Sequence, residues 1–168
     1  MPDPDPACAP QLDVLVQSPL WSGAAGIEDL LRRALEAAAR ELVPRSCGEL
    51  AVVLTDDATI RSLNRAWRGI DAPTNVLAFP AARSAHPQAH FGDIVIAYET
   101  ADAEAAAAGK PLGDHVAHLG VHGFLHLLGY DHLADNEATK MEALECAVLA
   151  RLGIADPYRA ARDPDPHG

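Results

Sequence analysis

The stretch that most constrains this chain is His122 to His132, HGFLHLLGYDH, in which three histidines fall at HxxxHxxGxxH spacing. His122 and His126 are i and i+4 within an apolar helical run (Val116, Leu119, Val121, Phe124, Leu125, Leu127, Leu128), so both lie on one helix face and both imidazoles reach one ion. Gly129 follows the last periodic leucine, where helices commonly end on a left-handed residue that glycine adopts without steric cost. The chain turns there and brings His132 back toward the pair. A single histidine on an apolar face is ordinarily a hydrogen-bonded core residue, but three at this spacing point to a metal. Three imidazoles with an open fourth position describe a catalytic zinc site, whereas structural sites close all four positions, usually with cysteines. The spacing therefore predicts one Zn2+ per chain on His122, His126 and His132. His118 is four residues before His122 and forms a competing pair with it. His118, His122 and His126 cannot all share an ion, because eight helical residues rise about 12 Å, which makes His132 the better third ligand.

The three cysteines, Cys8, Cys47 and Cys146, are widely spaced and never form CxxC, which argues against a disulfide framework and a cysteine-bound zinc. The 168 residues fit one domain that buries roughly 70% of its unfolded surface, so neither metal nor disulfides are needed for folding. Residues 1–10 and 156–168 are rich in proline and aspartate and read as disordered tails around a single domain at 11–155. The N-terminus has acidic residues and prolines where a signal peptide needs a basic start, and no run approaches the length of a membrane span. A soluble, cytoplasmic protein is expected. A net charge of −11 disfavours nonspecific binding to nucleic acid, so any RNA contact needs a local basic groove.

Leu12, Val14 and Val16 suggest a first strand, and Gly26 to Leu42 follows the helical period with arginines on its other face. Glu49 to Leu54 reads as a second strand. Thr55 or Asp56 then caps a helix whose Ile60, Leu63 and Trp67 should face the core. On that helix Arg61, Arg65 and Arg68 make a positive stripe. For Arg61 and Arg65 a solvated face, with Asp57 pairing Arg61, is the plainer reading, and RNA binding is the functional one. Val76 to Phe79 is a third strand, 81–91 a loop with surface histidines His86 and His90, and Gly92 to Ala97 a fourth strand. A helix from Glu99 to about Ala108 ends at Gly109, Asp114 or Gly113 opens the histidine helix, and a last helix starts near Asn136 with Met141, Leu144, Val148, Leu149 and Leu152 on its apolar side. The expected fold is α+β, a single four-stranded mixed sheet packed with about five helices around a central HxxxH helix.

The histidine spacing resembles that of metzincin proteases, but their general base follows the first histidine directly and here that position is Gly123. The full string instead resembles HGxLHLxGYDH, the signature of the YbeY family of bacterial metal-dependent endoribonucleases. A second segment, Trp67-Arg68, Asp71 and Pro73-Thr74-Asn75-Val76-Leu77, resembles that family's aromatic-Arg pair followed by a PT(D/N)VLSFP-like run, with Ala78 where serine is usual. Gly92 to Ile96 is similar to its GDIVI strand, and the MEALE segment to its MExxE. The resemblance covers roughly residues 63–153 and implies a zincin-like architecture. It also implies a single-strand-specific endoribonuclease acting in ribosomal RNA maturation, at the 3′ end of small-subunit RNA, and in ribosome quality control. Its partners would be single-stranded ribosomal RNA and the ribosome's small subunit.

With zinc on His122, His126 and His132, the metal would activate water and polarise a phosphoryl oxygen, making His122 part of the catalytic centre. Arg68, in the family's arginine position, is the candidate to hold the nonbridging oxygens through a two-point guanidinium fork; its alternative role is to complement its helix C-terminus. No general base follows from the sequence. Asp131 is a candidate to accept an imidazole N–H, and Asp93 or Glu99 to approach the water. Two rival readings are a zinc hydrolase of another substrate, such as a peptidase, and a noncatalytic ribosome-assembly factor whose metal only stabilises the fold.

Overall fold

The computed structural model describes residues 11–44, 48–81, 90–130 and 135–158. Four strands, β1 (Gln11–Val16), β2 (Glu49–Thr55), β3 (Val76–Pro80) and β4 (His90–Ala97), form one mixed sheet in the order β1-β2-β4-β3. β1, β2 and β4 run parallel, and β3 pairs antiparallel with β4 at the edge. Five α-helices accompany them: α1 (Ala25–Leu42), α2 (Asp57–Arg68), α3 (Tyr98–Ala108), α4 (Leu112–Leu127) and α5 (Asp135–Ala150). This is the α+β fold with a central HxxxH helix that the sequence predicts. β4 begins at His90 rather than Gly92, because Glu49 of β2 pairs with His90. A 3-10 turn at Pro19–Gly23, which the sequence pattern did not reveal, buries Trp21, whose indole N–H donates to the Thr55 carbonyl at 2.8 Å.

Strand alternation assigns the two sheet faces. Leu50, Val52, Leu54, Ile94 and Ile96 join α1, α4 and α5 in the main core, while Leu77, Val95 and Ala97 meet Ile60 of α2 on the other side. Close helix packing seats α4. A Cβ at Gly120 would lie 2.4 Å from Leu31 Cδ1 of α1, and one at Gly123 would lie 3.1 Å from Ile94 Cγ2 of β4. The second contact explains why no carboxylate follows His122: at that position the helix is pressed on the sheet.

One helix start carries the cap its sequence predicts and another does not. Asp56 caps α2, its carboxylate accepting from Thr59 N–H at 2.9 Å, whereas α4 begins at Leu112 after Pro111 with no side-chain cap. Gly69, at φ 71°, ends α2 in the left-handed conformation directly after Arg68, and Gly129, at φ 97°, follows α4 as expected. Trp67 does not face the core: it is 71% exposed, its ring 5.7 Å from Phe79 of β3. Among the described residues no strand lies beyond β3, so the last turn of α2 has no sheet to cover it.

Candidate active site

α4 passes the edge strand β3, and between them lies a cleft of about 670 Å³. One wall is α4, with His118, His122 and His126; the other is Asn75 to Ala78 and Pro80, with Arg68 reaching in from the end of α2. The serine-to-alanine departure at Ala78 thus falls on the cleft wall.

His122 and His126, one helical turn apart, lie side by side on α4. Their Nε2 atoms are 3.1 Å apart and their ring centroids 4.6 Å apart. Two nitrogens bound tetrahedrally at about 2.0–2.1 Å to zinc lie roughly 3.3 Å from each other, so this pair fits a shared divalent ion. His132 and Asp131 lie outside the described residues. His118, the competing partner, is turned elsewhere: its Nε2 is 3.2 Å from Glu145 Oε2 and 3.1 Å from the Tyr158 hydroxyl. His118, His122 and Glu145 form a second grouping that could hold a metal, with ligand atoms all within 4.8 Å of one another.

Glu145, the last residue of the MEALE segment, and Tyr158 are the residues whose part in the site sequence reasoning missed. Glu145 is fully buried on α5; His122 Nδ1 is 2.5 Å from its Oε1, and the Tyr158 hydroxyl donates to its Oε2. Burial pushes this carboxyl up, but hydrogen bonds from His118, His122 and Tyr158 outweigh it and hold its pKa at about 2. Burial, reinforced by the Glu145 hydrogen bond and charge, pushes the Tyr158 hydroxyl well above its ordinary value, so it remains a donor. A glutamate four residues after Met141, on the apolar stripe of the last helix, was the available signal for Glu145. Tyr158 lies in the stretch that reads from sequence as a C-terminal tail, yet it packs edge-on to His118 at 5.3 Å.

The proposed base candidates are not where the chemistry would need them. Asp93 is exposed and neighbours Ile94, which contacts α4, so its side chain points to the opposite sheet face. Glu99 accepts from the Asp57 N–H at 2.9 Å at the start of α2, while Asp57 accepts from the Thr100 N–H and hydroxyl at 3.1 and 2.7 Å. These are reciprocal caps of α2 and α3. The carboxylate that does line the cleft on the sheet side is Glu104, held 2.9 Å from His115 Nε2 and 3.0 Å from Asn75 Nδ2. Burial lowers the His115 pKa against the opposing hydrogen bond to Glu104.

The three arginines of α2 separate in space. Arg61 pairs with Asp71, not Asp57, through contacts of 2.8 and 3.2 Å, because Asp57 is committed to Thr100. Arg65 is exposed and does not line the cleft. Arg68 does line it, and among the described residues no carboxylate is found paired with it.

A family model described as Endoribonuclease YbeY matches residues 21–153. A Bradyrhizobium protein named Endoribonuclease YbeY is 51% identical over 157 residues, covering 89% of this chain and 92% of the relative. A Nitrobacter hamburgensis protein of the same name is 52% identical over 157 residues, covering 89% and 82%. The solution structure of a Thermotoga maritima protein, 23% identical, shares the fold with a TM-score of 0.56 over 94% of this chain and 99% of that one. With the family's matched segment spanning β2, β3, β4, the histidine helix and all of α5, the chain belongs to the Endoribonuclease YbeY family.

Proposed function

We propose that the protein is a zinc-dependent endoribonuclease that cleaves single-stranded ribosomal RNA, acting in maturation of the small-subunit 3′ end and in ribosome quality control, with the small subunit as its partner. Family membership supports the reaction class. The observation that carries the reading to this chain is that a converging imidazole pair and an arginine line one cleft.

His122 and His126 would hold the metal, with His132 as third ligand. When bound, the ion supplies activation of water and polarisation of a phosphoryl oxygen. Arg68 places a guanidinium across the cleft, where two parallel N–H donors can take the nonbridging oxygens as negative charge gathers on them. Among the described residues no carboxylate takes its donors, which leaves both for substrate. Glu104, held by His115 and Asn75, is the cleft carboxylate positioned to accept a proton. The peptidase alternative loses its base, because Gly123 stands where the glutamate would be, on a part of α4 packed closely against Ile94.

The test separates metal from phosphate recognition. Arg68→Ala should retain zinc content and fold while single-turnover cleavage of a single-stranded RNA falls roughly 100- to 1,000-fold, the loss seen when one transition-state donor is removed. Wild-type rates in this variant would remove Arg68 from the site.

A further inference from the structure

We infer that Glu145 is the positioning residue of the metal centre: its carboxylate takes the Nδ1–H of His122 and thereby aims His122 Nε2 at the point that His126 Nε2 also faces. The inference rests on the metal reading above and concerns how the histidine pair is held in place.

Glu145 lies 23 residues from His122 in sequence and reaches it from α5 across the helix interface. A carboxylate at zero exposure is costly unless donors meet its lone pairs. Here Oε1 faces His122 Nδ1, and Oε2 faces His118 Nε2 and the Tyr158 hydroxyl. An imidazole whose Nδ1 proton is held by a carboxylate keeps its Nε2 lone pair for a cation, with tautomer and ring orientation both fixed. His122 meets that condition on both sides, with Nδ1 toward Glu145 and Nε2 toward His126 at 3.1 Å.

The competing assignment makes His118, His122 and Glu145 direct ligands. It would place a cation among groups that already hydrogen-bond one another, displacing donors from the Glu145 oxygens. It would also leave His126 outside the centre. The orienting role uses every one of these contacts as it stands.

Zinc affinity of the full chain, measured by chelator competition, tests the assignment, with the melting temperature of each metal-free variant read alongside. Glu145→Gln should bind zinc about 10- to 100-fold more weakly, as expected when an orienting partner is lost, and His118→Gln within about threefold of the parent. His126→Ala should hold no stoichiometric zinc. Cobalt-substituted Glu145→Gln should keep the parent's visible absorption, because its ligand set is unchanged. Parent affinity in Glu145→Gln would overturn the positioning role alone. A loss in Glu145→Gln and His118→Gln as complete as that expected of His126→Ala would make both direct ligands and overturn it too. If His126→Ala bound zinc as the parent does, the metal reading itself would fall, and the inference with it. Nitrogen NMR of the zinc-loaded parent decides without any variant: the inference requires His122 to be protonated at Nδ1 and metallated at Nε2, and metallation at Nδ1 contradicts it.

Discussion

The two walls of the cleft are built in opposite ways. On the α4 and α5 side, Glu145 is fully buried and each of its oxygens meets a donor, so the histidines are fixed before any ligand arrives. On the α2 and β3 side, Arg68 and Trp67 stand in solvent at the end of a helix that outruns the sheet. A metal site demands ligand atoms held to fractions of an ångström, whereas a flexible single-stranded substrate can be met by long, mobile side chains. The difference predicts that changes on the first wall alter metal content and stability, and that changes on the second alter cleavage alone.

The largest expected effect is on the first wall. His126→Ala should abolish both stoichiometric zinc and RNA cleavage, measured by elemental analysis and a single-turnover assay. Chelation should lower the melting temperature without unfolding the domain, because binding to the native state adds stability only in proportion to metal occupancy and the core is complete without it. A random-coil circular dichroism spectrum after chelation would contradict that.

Next comes the second wall. Arg68→Lys keeps the charge but not the planar fork, so cleavage should recover little of the loss of on the order of 3–4 kcal/mol expected for alanine, with zinc content unchanged. Recovery to near wild-type turnover would show that charge alone suffices.

The seating of α4 should show as stability. Gly120→Ala places a Cβ 2.4 Å from Leu31 Cδ1, inside the fully buried α1 contact. Overpacking typically costs about 1–3 kcal/mol, which should exceed the gain of about 1 kcal/mol from replacing a helical glycine. Denaturant unfolding checks the sign.

Asp56→Ala, far from the metal, should cost about 1 kcal/mol by removing the α2 cap. The Thr59 backbone N–H holds the Asp56 pKa below its ordinary 3.8. A carboxyl depressed in the folded state contributes fully above the unfolded value and loses its contribution as pH falls through the folded one. The gap between variant and parent should therefore be constant above about pH 5 and close in acid, as urea midpoints across pH would show. Smallest of all, Arg61→Ala and Arg65→Ala should weaken RNA binding modestly and chiefly at low salt, with fluorescence anisotropy as the readout.

How much of this was legible in the sequence follows from the range of the interactions involved. The His122–His126 pair is a local consequence of helix geometry, and spacing alone placed both Nε2 atoms together. The strands and most helix ends were likewise marked by local residues, such as Asp56, Gly109 and Gly129. Glu145 and Tyr158 reach the site only through tertiary packing, and periodicity shows which face of α5 is apolar but not what that face meets. Asp93 failed as a base candidate on strand parity: its neighbour Ile94 points at α4, and a one-residue step reverses the face. Trp67 kept the helical period of Ile60 and Leu63, but nothing local reveals that β3 is an edge strand.

The most direct test of the account is cleavage of defined single-stranded and duplex RNAs by the unmodified protein, first as purified, then stripped of metal, then reconstituted with zinc. The account predicts cleavage of the single strand, its loss on stripping while the fold persists, and its return with zinc. A folded, zinc-loaded protein that cuts neither RNA, or one that cuts equally well without metal, would contradict it.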